Sequence, residues 1–554
     1  MSATAHAHDV ETAKRNSTLT VITASAMGTA FEWYDFFIFG TLTAIISKHF
    51  FAFAGETAGA ISTLLTFAAG FFARPFGAIV FGRIGDRVGR KRAFLVTITI
   101  MGLATFVTGL IPTYEQVGVL APVLLISLRL LQGFALGGEY GGAAIYVAEH
   151  APANRRGLHT GAIQTSAAFG LFGALGVILL TRTTLGEITF ADWGWRIPFI
   201  VSLGLLVISI WIRLHLEESP VFKKIKAEGT ASRAPLRESF FEWRNLKIVL
   251  LALVAIMMAQ GVVWYTGHFY SQFFMTQVLK VEPKTVNLLM ITVTAISAML
   301  YVFFAWLSDR IGRKPVMLFG IALATIAFFP GFQALTKAAN PALAAAQEKS
   351  PVSVVAAPSD CTFQFDPFGL ATFVSSCDIA KTVLTNAGVN YTNVGGETGA
   401  LAQVRIGETV VASVEGRGLA KPELAAARKD FEARLKAALS AAGYPEKAEP
   451  NAMDTRTMFA ILMIFIVAAT ALYGPQAAAL VELFPTRIRY TALSLPYHIG
   501  TGWFGGFQPF TSFAIVVATG NIYAGLWYPV VIAAISFLAM LFVLPETHKR
   551  SITD

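Results

Sequence analysis

Long apolar runs recur along the whole of this 554-residue chain, and they constrain its fold more than any other feature. Hydrophobic residues make up 55% of the chain and charged residues only 14%, whereas about 25% of a typical soluble domain is charged. Each run is about long enough to cross ~30 Å of hydrocarbon as a helix. The runs lie near residues 19–47, 58–81, 93–112, 119–148, 158–181, 196–214, 247–277, 285–307, 315–336, 456–481, 491–519 and 524–545. The sequence therefore predicts an all-α membrane protein with twelve transmembrane helices.

Basic residues are concentrated in every second loop between these runs, and the intervening loops are nearly bare, with Lys48, Lys280 and Lys284. The positive-inside rule predicts that the basic loops are cytoplasmic. Both termini then lie inside, as tails at 1–18 and 546–554, and a central loop at 215–246 is cytoplasmic too. The net charge of +9 reflects this topology, so no nucleic-acid partner is expected. The basic loops contain Arg83, Arg87, Arg90, Lys91 and Arg92; Arg155 and Arg156; residues 223–244; Arg310, Arg313 and Lys314; and Arg487 and Arg489.

Two pairs of segments repeat nearly the same text. "GRIGDRVGRKR" follows the second run and "AWLSDRIGRKP" the eighth, while "YGGAAIYVAEHAPANRR" ends the fourth and "YGPQAAALVELFPTRIR" the tenth. Parallel six-helix repeats are typical of transporters. The repeat predicts an N-terminal six-helix half at 19–214 and a second half at 247–336 and 455–545. The matched positions include Asp86 with Asp309, Tyr140 with Tyr473, Glu149 with Glu482, and Arg156 with Arg489.

A polar segment at 337–454 interrupts the second half between the ninth and tenth helices, on the side predicted to be extracytoplasmic. Within it, "PELAAARKDFEARLKAALSAAGY" has apolar residues at helical spacing, and "RIGETVVASV" is typical of a strand. We predict a small soluble α/β lobe. Both cysteines of the chain, Cys361 and Cys377, lie here, which favours a disulfide in an oxidising compartment; two free thiols are the alternative. The apolar helical positions are Leu424, Phe431, Leu435 and Ala438.

The repeated loop motif resembles the cytoplasmic signature of the major facilitator superfamily. Within that superfamily, "EWYDFFIFG", "RLLQGFALGGEYGGA", "WRIPF", "LEESPVF" and "FPTRIRYTALS" resemble the metabolite:proton symporter family, which includes permeases for α-ketoglutarate, citrate, shikimate and proline/betaine. The likeness covers about 20–336 and 455–545. It implies a monomer in the bacterial inner membrane that works without a cofactor. The insertion departs from the family pattern. By this resemblance the gating residues are Asp86, Arg87 and Arg90, with Asp309, Arg310 and Arg313 in the repeat.

Two carboxylates, Glu32 and Asp35, lie near the middle of the first run and share one helix face. An acidic residue at a helix centre costs about 2.5–3.5 kcal/mol on insertion scales. A carboxylate balanced between burial and a nearby cation can take up a proton on one side and release it on the other. We predict that at least one of the two couples protons, with structural hydrogen bonding as the alternative. Glu139, buried in the fourth run, is a further candidate.

Arg129 lies within the fourth run, too deep to reach water, and therefore needs an anion. That anion is Asp35, Glu32 or a substrate carboxylate held by the forked guanidinium. A purely structural ion pair of Arg129 is the alternative to substrate contact. Runs seven and eleven add hydrogen-bonding and aromatic side chains that together predict a polar substrate cavity facing Arg129, although each alone could be packing. These predicted substrate-binding residues are Gln260, Trp264, Tyr265, His268, Tyr497, His498 and Gln508.

These features predict a secondary transporter that couples inward proton flow to uptake of a small organic acid, such as a di- or tricarboxylate or a shikimate-like metabolite. The alternative is uptake of a proline- or betaine-type osmolyte, because aromatic faces bind quaternary ammonium groups. A membrane receptor with the lobe as sensor ranks lower, because no cytoplasmic output domain is visible. The chain shows no nucleophile elbow, phosphate loop or metal-ligand spacing, so we expect no enzyme and no metal. The expected partners are a small substrate, protons and the lipid bilayer.

Overall fold

The computed structural model describes residues 23, 25–51, 55–215, 217–364 and 373–552. The predicted tail at 1–18, the beginning of the first run, part of the insertion and the last two residues lie outside the described residues. Long helices dominate, and we number them α1 to α12 in chain order. In the first half they are α1 (25–41 and Thr43–Phe50), α2 (Gly55–Arg87), α3 (Arg90–Thr108), α4 (Leu120–His150), α5 (Arg156–Gln164 and Ser166–Leu185) and α6 (Arg196–Leu214).

The second half begins after two short loop helices, Pro220–Ala227 and Pro235–Phe240. The seventh helix of the chain contains π-helical turns at Leu253–Met257, Thr266–Tyr270 and Phe274–Val278, and the eleventh helix of the chain contains one at Ile499–Gly505. A π-turn adds a residue to the helical turn and often marks a functional position. The helices are α7 (Trp243–Val278), α8 (Pro283–Ile311), α9 (Arg313–Ala339), α10 (Thr455–Leu483), α11 (Arg489–His498, Ile499–Gly505 and Gln508–Thr519) and α12 (Trp527–Phe542).

Within the part of the chain that the structure describes, nine helices are long and apolar enough to cross a membrane. They correspond to α3 to α10 and α12. The regions predicted as crossing helices one, two and eleven are helical as well, but their crossing stays a prediction. The loops at 82–92 and 305–315 lie at one end of the bundle, which we call the signature end.

Glycines bring α2 and α4 into backbone contact. A Cβ on Gly133 would lie 2.0 Å from the Gly70 carbonyl oxygen, and one on Gly137 would lie 2.2 Å from that of Arg74. Small residues at a helix crossing let backbones approach this closely. The contact holds Arg74 of α2 next to the middle of α4. Arg129 lies on the same face of α4 as Gly133 and Gly137, because the three follow each other at intervals of four residues.

The insertion folds as a small α/β lobe at the end of the bundle opposite the signature end. Its sheet has the order β2-β1-β3-β4, with β1 (Val352–Ala356) parallel to β2 (Tyr391–Gly395) and antiparallel to β3 (Gln403–Ile406), which pairs with β4 (Thr409–Ala412). Helices Pro341–Lys349, Ser376–Asn386 and Lys421–Ala441 complete it. The predicted single strand "RIGETVVASV" was wrong: it is part of a hairpin, because Gly407 takes a positive φ of 57° and turns the chain.

The lobe caps the end of α11. The last carbonyls of a helix lack partners within the helix, and here lobe side chains and backbone supply them. The Tyr391 hydroxyl donates to the Val517 carbonyl, Asn393 Nδ2 donates to Ala518 O and Thr519 O at 3.2 Å each, and Tyr391 N donates to Gly520 O at 2.8 Å. Near the end of α7, Ala448 N donates to Lys280 O at 3.1 Å. The lobe is therefore attached to the second half by hydrogen bonds to α11 and to the segment after α7.

Cys361 and Cys377 form a disulfide, with their Cα atoms 5.3 Å apart. The bond ties the segment after β1 to the helix Ser376–Asn386, next to the buried face that Phe431 and Leu435 provide.

We expect replacement of both cysteines by alanine to lower the free energy of unfolding of the lobe by about 3 kcal/mol, because the bond closes a loop of 16 residues. Hydrogen exchange of the helix Lys421–Ala441 in the full-length protein should speed up, while exchange in α3 to α6 should not change. Mass mapping of a non-reducing digest provides the direct check. Two alkylatable thiols in the native protein would contradict the pairing.

Candidate functional site

A cavity of about 610 Å³ lies between α1 and α5 of the first half and α7 and α8 of the second. It reaches Gly40 and Thr41 of α1, which are exposed. Among the described residues that line it there is no Asp, Glu, Lys or Arg. The polar groups in the lining are Thr41, Thr43, Gln164, His268, Gln272, Asn287, Thr294, Ser297 and Tyr301, together with the Trp33 and Trp264 indoles.

Aromatic rings from both halves form one wall of this cavity. The ring centres of Trp33 and Trp264 are 5.6 Å apart, and those of Phe36 and Phe269 are 5.8 Å apart. Trp33 also lies 5.5 Å from Phe36, and Trp264 lies 5.6 Å from Phe269. The indole of Trp264 donates to the Tyr301 hydroxyl at 2.8 Å. Edge-to-face and tilted contacts of this kind hold aromatic rings in fixed orientations.

His268 completes the wall from the next turn of α7. Its ring stacks on Trp264 at 4.6 Å, and its Nδ1 lies 3.0 Å from the Trp264 carbonyl oxygen. With Nδ1 bound to the backbone, Nε2 is the ring nitrogen left for a ligand. Trp264 and His268 are thus the two predicted substrate-binding residues that line the cavity.

A much smaller pocket of about 20 Å³ holds the charged groups of the site: Glu32, Asp35, Arg74 and Arg129. Phe36 lines both this pocket and the large cavity. The two acids and two bases balance in charge, as a buried site in a low-dielectric bundle requires. All residues of the small pocket come from α1, α2 and α4 of the first half.

Asp35 and Arg129 make the tightest contact in this pocket. Arg129 Nη1 donates to Asp35 Oδ2 at 2.9 Å, and both residues are almost fully buried. Asp35 Oδ1 accepts from Thr105 Oγ1 at 3.0 Å and from Gln132 Nε2 at 3.2 Å. Of the two carboxylates of the chain that the sequence offers to Arg129, Asp35 is the one that it bonds. Arg129 Nε and Nη2 have no hydrogen-bond partner among the described residues, although its guanidinium stacks 3.8 Å from the Phe39 ring.

Glu32 is held more loosely than Asp35. Its Oε1 lies 4.0 Å from Arg74 Nη1, beyond hydrogen-bond distance. The Arg74 guanidinium lies 4.5 Å from the centre of the Phe71 ring. The pocket therefore contains one bonded ion pair and one ion pair without a direct hydrogen bond.

Glu139 lies outside both pockets. It accepts from Arg213 Nη2 at 2.6 Å and from Thr97 Oγ1 at 2.9 Å, and the guanidinium of Arg213 stacks 3.5 Å from the Phe94 ring. This pair links α4 to α6 and α3. The contacts satisfy the buried carboxylate, which lines neither pocket.

The other predicted substrate-binding residues are packed elsewhere. The Tyr497 ring stacks on Tyr140 at 3.9 Å, and its hydroxyl lies 3.1 Å from that of Tyr473. Tyr265 packs against Phe71 and Phe269. Gln508 Nε2 donates to Ser512 Oγ at 3.0 Å. None of these three, nor Gln260 or His498, lines the cavity; both of the latter are buried.

Sequence reasoning missed several lining residues, among them Trp33, Gln164, Asn287 and Tyr301. A signal existed for some of them. Gln164 and Asn287 interrupt apolar runs, and Gln272 follows His268 by four residues, which places both on one helix face.

At the signature end the two halves are joined by a set of buried ion pairs that we call the latch: Asp86, Arg90, Glu149, Arg156, Asp309, Arg313, Glu482 and Arg489. The partners cross between repeats. Arg489 Nη1 donates to Glu149 Oε1 and Arg156 Nη1 donates to Glu482 Oε1, each at 2.8 Å. The matched residues of the repeat thus exchange partners about an approximate two-fold axis.

The latch carboxylates also bind backbone across the halves. Asp86 accepts from Tyr490 N at 3.1 Å and Thr491 N at 2.8 Å, and Asp309 accepts from Gly157 N at 2.8 Å and Leu158 N at 2.7 Å. Each of these amides lies at the beginning of a helix, where amide groups are otherwise unpaired. In the same layer Arg90 pairs with Asp86, and Arg313 pairs with Asp309 at 2.6 Å and with Glu482 at 3.1 Å.

Two residues predicted to gate lie outside the latch pairs. Arg87 is exposed, and Arg310 lies 4.1 Å from the centre of the Trp306 ring. The end of the chain crosses the latch instead, where Ile552 O accepts from Arg489 Nη2 at 2.9 Å. The latch joins the two halves at the signature end.

Comparison with known proteins agrees with this architecture. Family models described as "Sugar (and other) transporter" and "MFS/sugar transport protein" match residues 20–239 and 142–348. The proton:xylose symporter XylE of Escherichia coli, solved with 6-bromo-6-deoxy-D-glucose, has the same fold, with a TM-score of 0.61 at 16% identity over 98% of both chains.

Curated relatives show higher identity. The shikimate transporter of Escherichia coli K12 is 33% identical over 56% of this chain and 71% of its own length. The inner membrane metabolite transport protein YhjE is 36% identical over 62% of this chain and 78% of its own. The proline/betaine transporter of the same strain is 35% identical, over 56% and 63%.

Two repeated helical halves around a cavity that crossed ion pairs close at one end define a membrane transporter. The chain belongs to the major facilitator superfamily, in the family of the shikimate and proline/betaine transporters. The resemblance stated from the sequence motifs is confirmed.

The latch generates a direct prediction. Arg156→Ala removes one of the two arginines that bind the buried Glu482. Because Arg313 remains as a partner, we expect the closed latch to lose about 1.5–3 kcal/mol, the contribution of a charged hydrogen bond. Hydrogen exchange at the amides of 157–158 and 490–491, which bind the two latch aspartates, should speed up strongly. Arg155→Ala, a change at the exposed neighbouring residue, is the control and should have little effect. Equal exchange in both variants would contradict the assignment.

Proposed function

We propose that this protein couples inward proton flow to uptake of a small organic acid across the bacterial inner membrane. The observation that carries the proposal is the buried Asp35–Arg129 pair, which lies next to an uncharged cavity and is separated from it by Phe36. An organic acid needs a cation, and a proton needs a carboxylate. This pair supplies both within one hydrogen bond.

The pair accounts for coupling through charge balance. Protonation of Asp35 removes the negative partner of Arg129 and leaves the pocket with an excess positive charge. A substrate carboxylate restores neutrality, and Arg129 Nε and Nη2, which have no partner among the described residues, can bind it as a fork. Because an unbalanced charge is costly in a low-dielectric site, proton and substrate bind cooperatively. Glu32 and Arg74 repeat the arrangement one turn away and adjust the same balance.

The latch supplies the other requirement of a symporter, which is a site open to one side at a time. In the proposed cycle the closed latch leaves the cavity open toward the lobe side. Release at the signature end requires the crossed pairs to separate, so loading must make that separation less costly. Movement of one half against the other around a central site is the usual mechanism in two-repeat transporters.

The proposed topology has twelve crossing helices, both termini in the cytoplasm and the lobe on the extracytoplasmic side. The distribution of Arg and Lys supports it, since the latch end carries the basic loops. A disulfide in the lobe is consistent with an oxidising compartment. We propose a monomer without cofactor.

A zwitterionic osmolyte is the second candidate substrate. The cavity wall of Trp33, Phe36, Trp264 and Phe269 offers aromatic faces and no charge, which suits a quaternary ammonium group. A proline/betaine transporter is among the relatives. Uptake into proteoliposomes, screened across dicarboxylates, tricarboxylates, shikimate and betaine with and without a pH gradient, separates the two.

Asp35→Asn should abolish substrate accumulation driven by a pH gradient yet retain exchange of internal for external substrate. A permanently neutral side chain can shuttle when loaded but cannot move a proton. Glu32→Gln should behave similarly or more mildly. Glu139→Gln removes an equally buried carboxylate that lies outside both pockets and serves as the comparison. Glu139→Gln should still accumulate substrate. If Asp35→Asn and Glu32→Gln both accumulate substrate at the wild-type level and with the same pH dependence, the coupling role of these two carboxylates is wrong.

Arg129→Lys keeps the charge and removes the fork. The apparent affinity for an organic acid should fall about tenfold or more, the loss expected for a charged hydrogen bond. Affinity for a betaine should change much less, because the aromatic wall is intact. Half-saturation constants from initial uptake rates test this. An unchanged constant for an acid substrate would show that Arg129 is not a ligand and would favour the osmolyte.

A further inference from the structure

The arginines of the signature end fall into two groups. Arg90, Arg156, Arg313 and Arg489 are buried in the latch. Arg83 and Arg87 differ, since both are exposed and neither has a carboxylate within 4.0 Å among the described residues. They lie four residues apart and therefore share one face of α2. Orientation by positive charge explains their presence in the loop but not their position beside a groove.

That groove has a volume of about 460 Å³ and is lined by apolar side chains and the two arginines. Ile79, Val80, Ile84 and Val88 come from α2, and Leu236 comes from the loop helix Pro235–Phe240. The groove thus combines five apolar side chains with two cations.

An exposed apolar stripe leads along α2 toward this groove. Phe72, Phe76 and Val80 are 46%, 49% and 42% exposed and follow each other at intervals of four residues. Arg83 and Arg87 continue the same face at helical spacing. A side chain exposed on a membrane helix faces lipid, so the stripe and the arginines together follow the path of one acyl chain and its headgroup.

We propose that this groove binds an anionic phospholipid from the leaflet on the signature side. One acyl chain lies along the stripe Phe72, Phe76 and Val80, and the phosphate is held by Arg83 and Arg87. Guanidinium groups bind phosphate as a fork, and basic residues at a membrane surface attract anionic headgroups. The inference needs α2 to lie in the membrane, as proposed above, and does not depend on any transported substrate.

The bound lipid would favour the closed latch, because the groove lies between α2 of the first half and a loop helix that contacts the second half. The helix of Leu236 is tied to the beginning of α11 by Glu238, whose Oε2 lies 3.2 Å from Arg487 Nε. Gly82 of α2 meets α11 directly: a Cβ there would lie 2.8 Å from Thr491 Cα. A lipid that contacts α2 and the loop helix together therefore stabilises the arrangement in which Asp86 holds Tyr490 and Thr491.

The repeat provides a matched control. Trp306 and Arg310 occupy the positions that correspond to Arg83 and Arg87. Arg310 stacks on Trp306 at 4.1 Å, so its guanidinium already has a partner. The second half lacks the paired cations, and Arg310→Gln removes an equivalent charge without touching the groove.

Native mass spectrometry of the full-length protein tests the proposal. The protein is titrated separately with phosphatidylglycerol, with phosphatidylethanolamine and with glycerol 3-phosphate. The variant Arg83→Gln/Arg87→Gln should lower the affinity for phosphatidylglycerol about 30-fold, roughly fivefold for each arginine. Arg310→Gln should not change it. Equal affinity in the double variant and the wild type, or an equal loss in Arg310→Gln, would overturn the site. Tight binding of glycerol 3-phosphate alone would show an anion site that does not recognise lipid.

A second measurement uses the unmodified protein and so does not depend on how the variants fold. In nanodiscs of phosphatidylglycerol, hydrogen exchange at the amides of 490–491 should be several times slower than in nanodiscs of phosphatidylethanolamine. Exchange in the lobe helix Lys421–Ala441 should be the same in both. Identical exchange at 490–491 would overturn the link between lipid and latch. Because uptake is not measured, this result and the test of symport can fail independently.

Discussion

Buried charge is the constraint around which this molecule is built. A charged side chain inside a membrane bundle is tolerated only with a partner, and the described charges of the interior fall into three paired groups. The latch joins the halves at one end, Glu139 and Arg213 join α4 to α6, and the small pocket near the middle holds Asp35 with Arg129 and Glu32 with Arg74. The large cavity is left uncharged. In the proposed mechanism, the charge of a bound substrate or proton is therefore balanced at the small pocket.

The two halves share the latch and divide the site between them. At the latch, repeat-related residues exchange partners, and the matched rings of Tyr140 and Tyr473 stack 6.5 Å apart between the halves. At the site the symmetry is lost, because the first half supplies every residue of the charged pocket while α7 and α8 supply indole, imidazole, amide and hydroxyl groups. The symmetry of the repeat is thus kept at the latch and lost at the two pockets.

The spacing of the apolar residues and the internal sequence repeat predict most of this architecture, because helices and strands depend on the local pattern of hydropathy. The repeated helical halves and the α/β character of the insertion follow directly. Partner choice does not, since it depends on how helices are rotated against each other. The sequence left three possible anions for Arg129, and it gave no reason to single out Arg213 as the partner of Glu139. For the same reason Tyr497 and Gln508, polar residues in promising helices, face packing contacts, while Gln164 reaches the cavity.

The two ends of the lobe return to the same place. Asp454 N, just before α10, donates to the carbonyl of Ala338, just before the end of α9, at 2.9 Å. For the bundle, an entire folded unit thus occupies the position of a short turn, and close termini of this kind are what make a domain insertable. The junction between α9 and α10 is therefore a suitable site for domain insertion. Another compact domain with adjacent ends, such as a fluorescent reporter, can replace the lobe there and move with the second half alone.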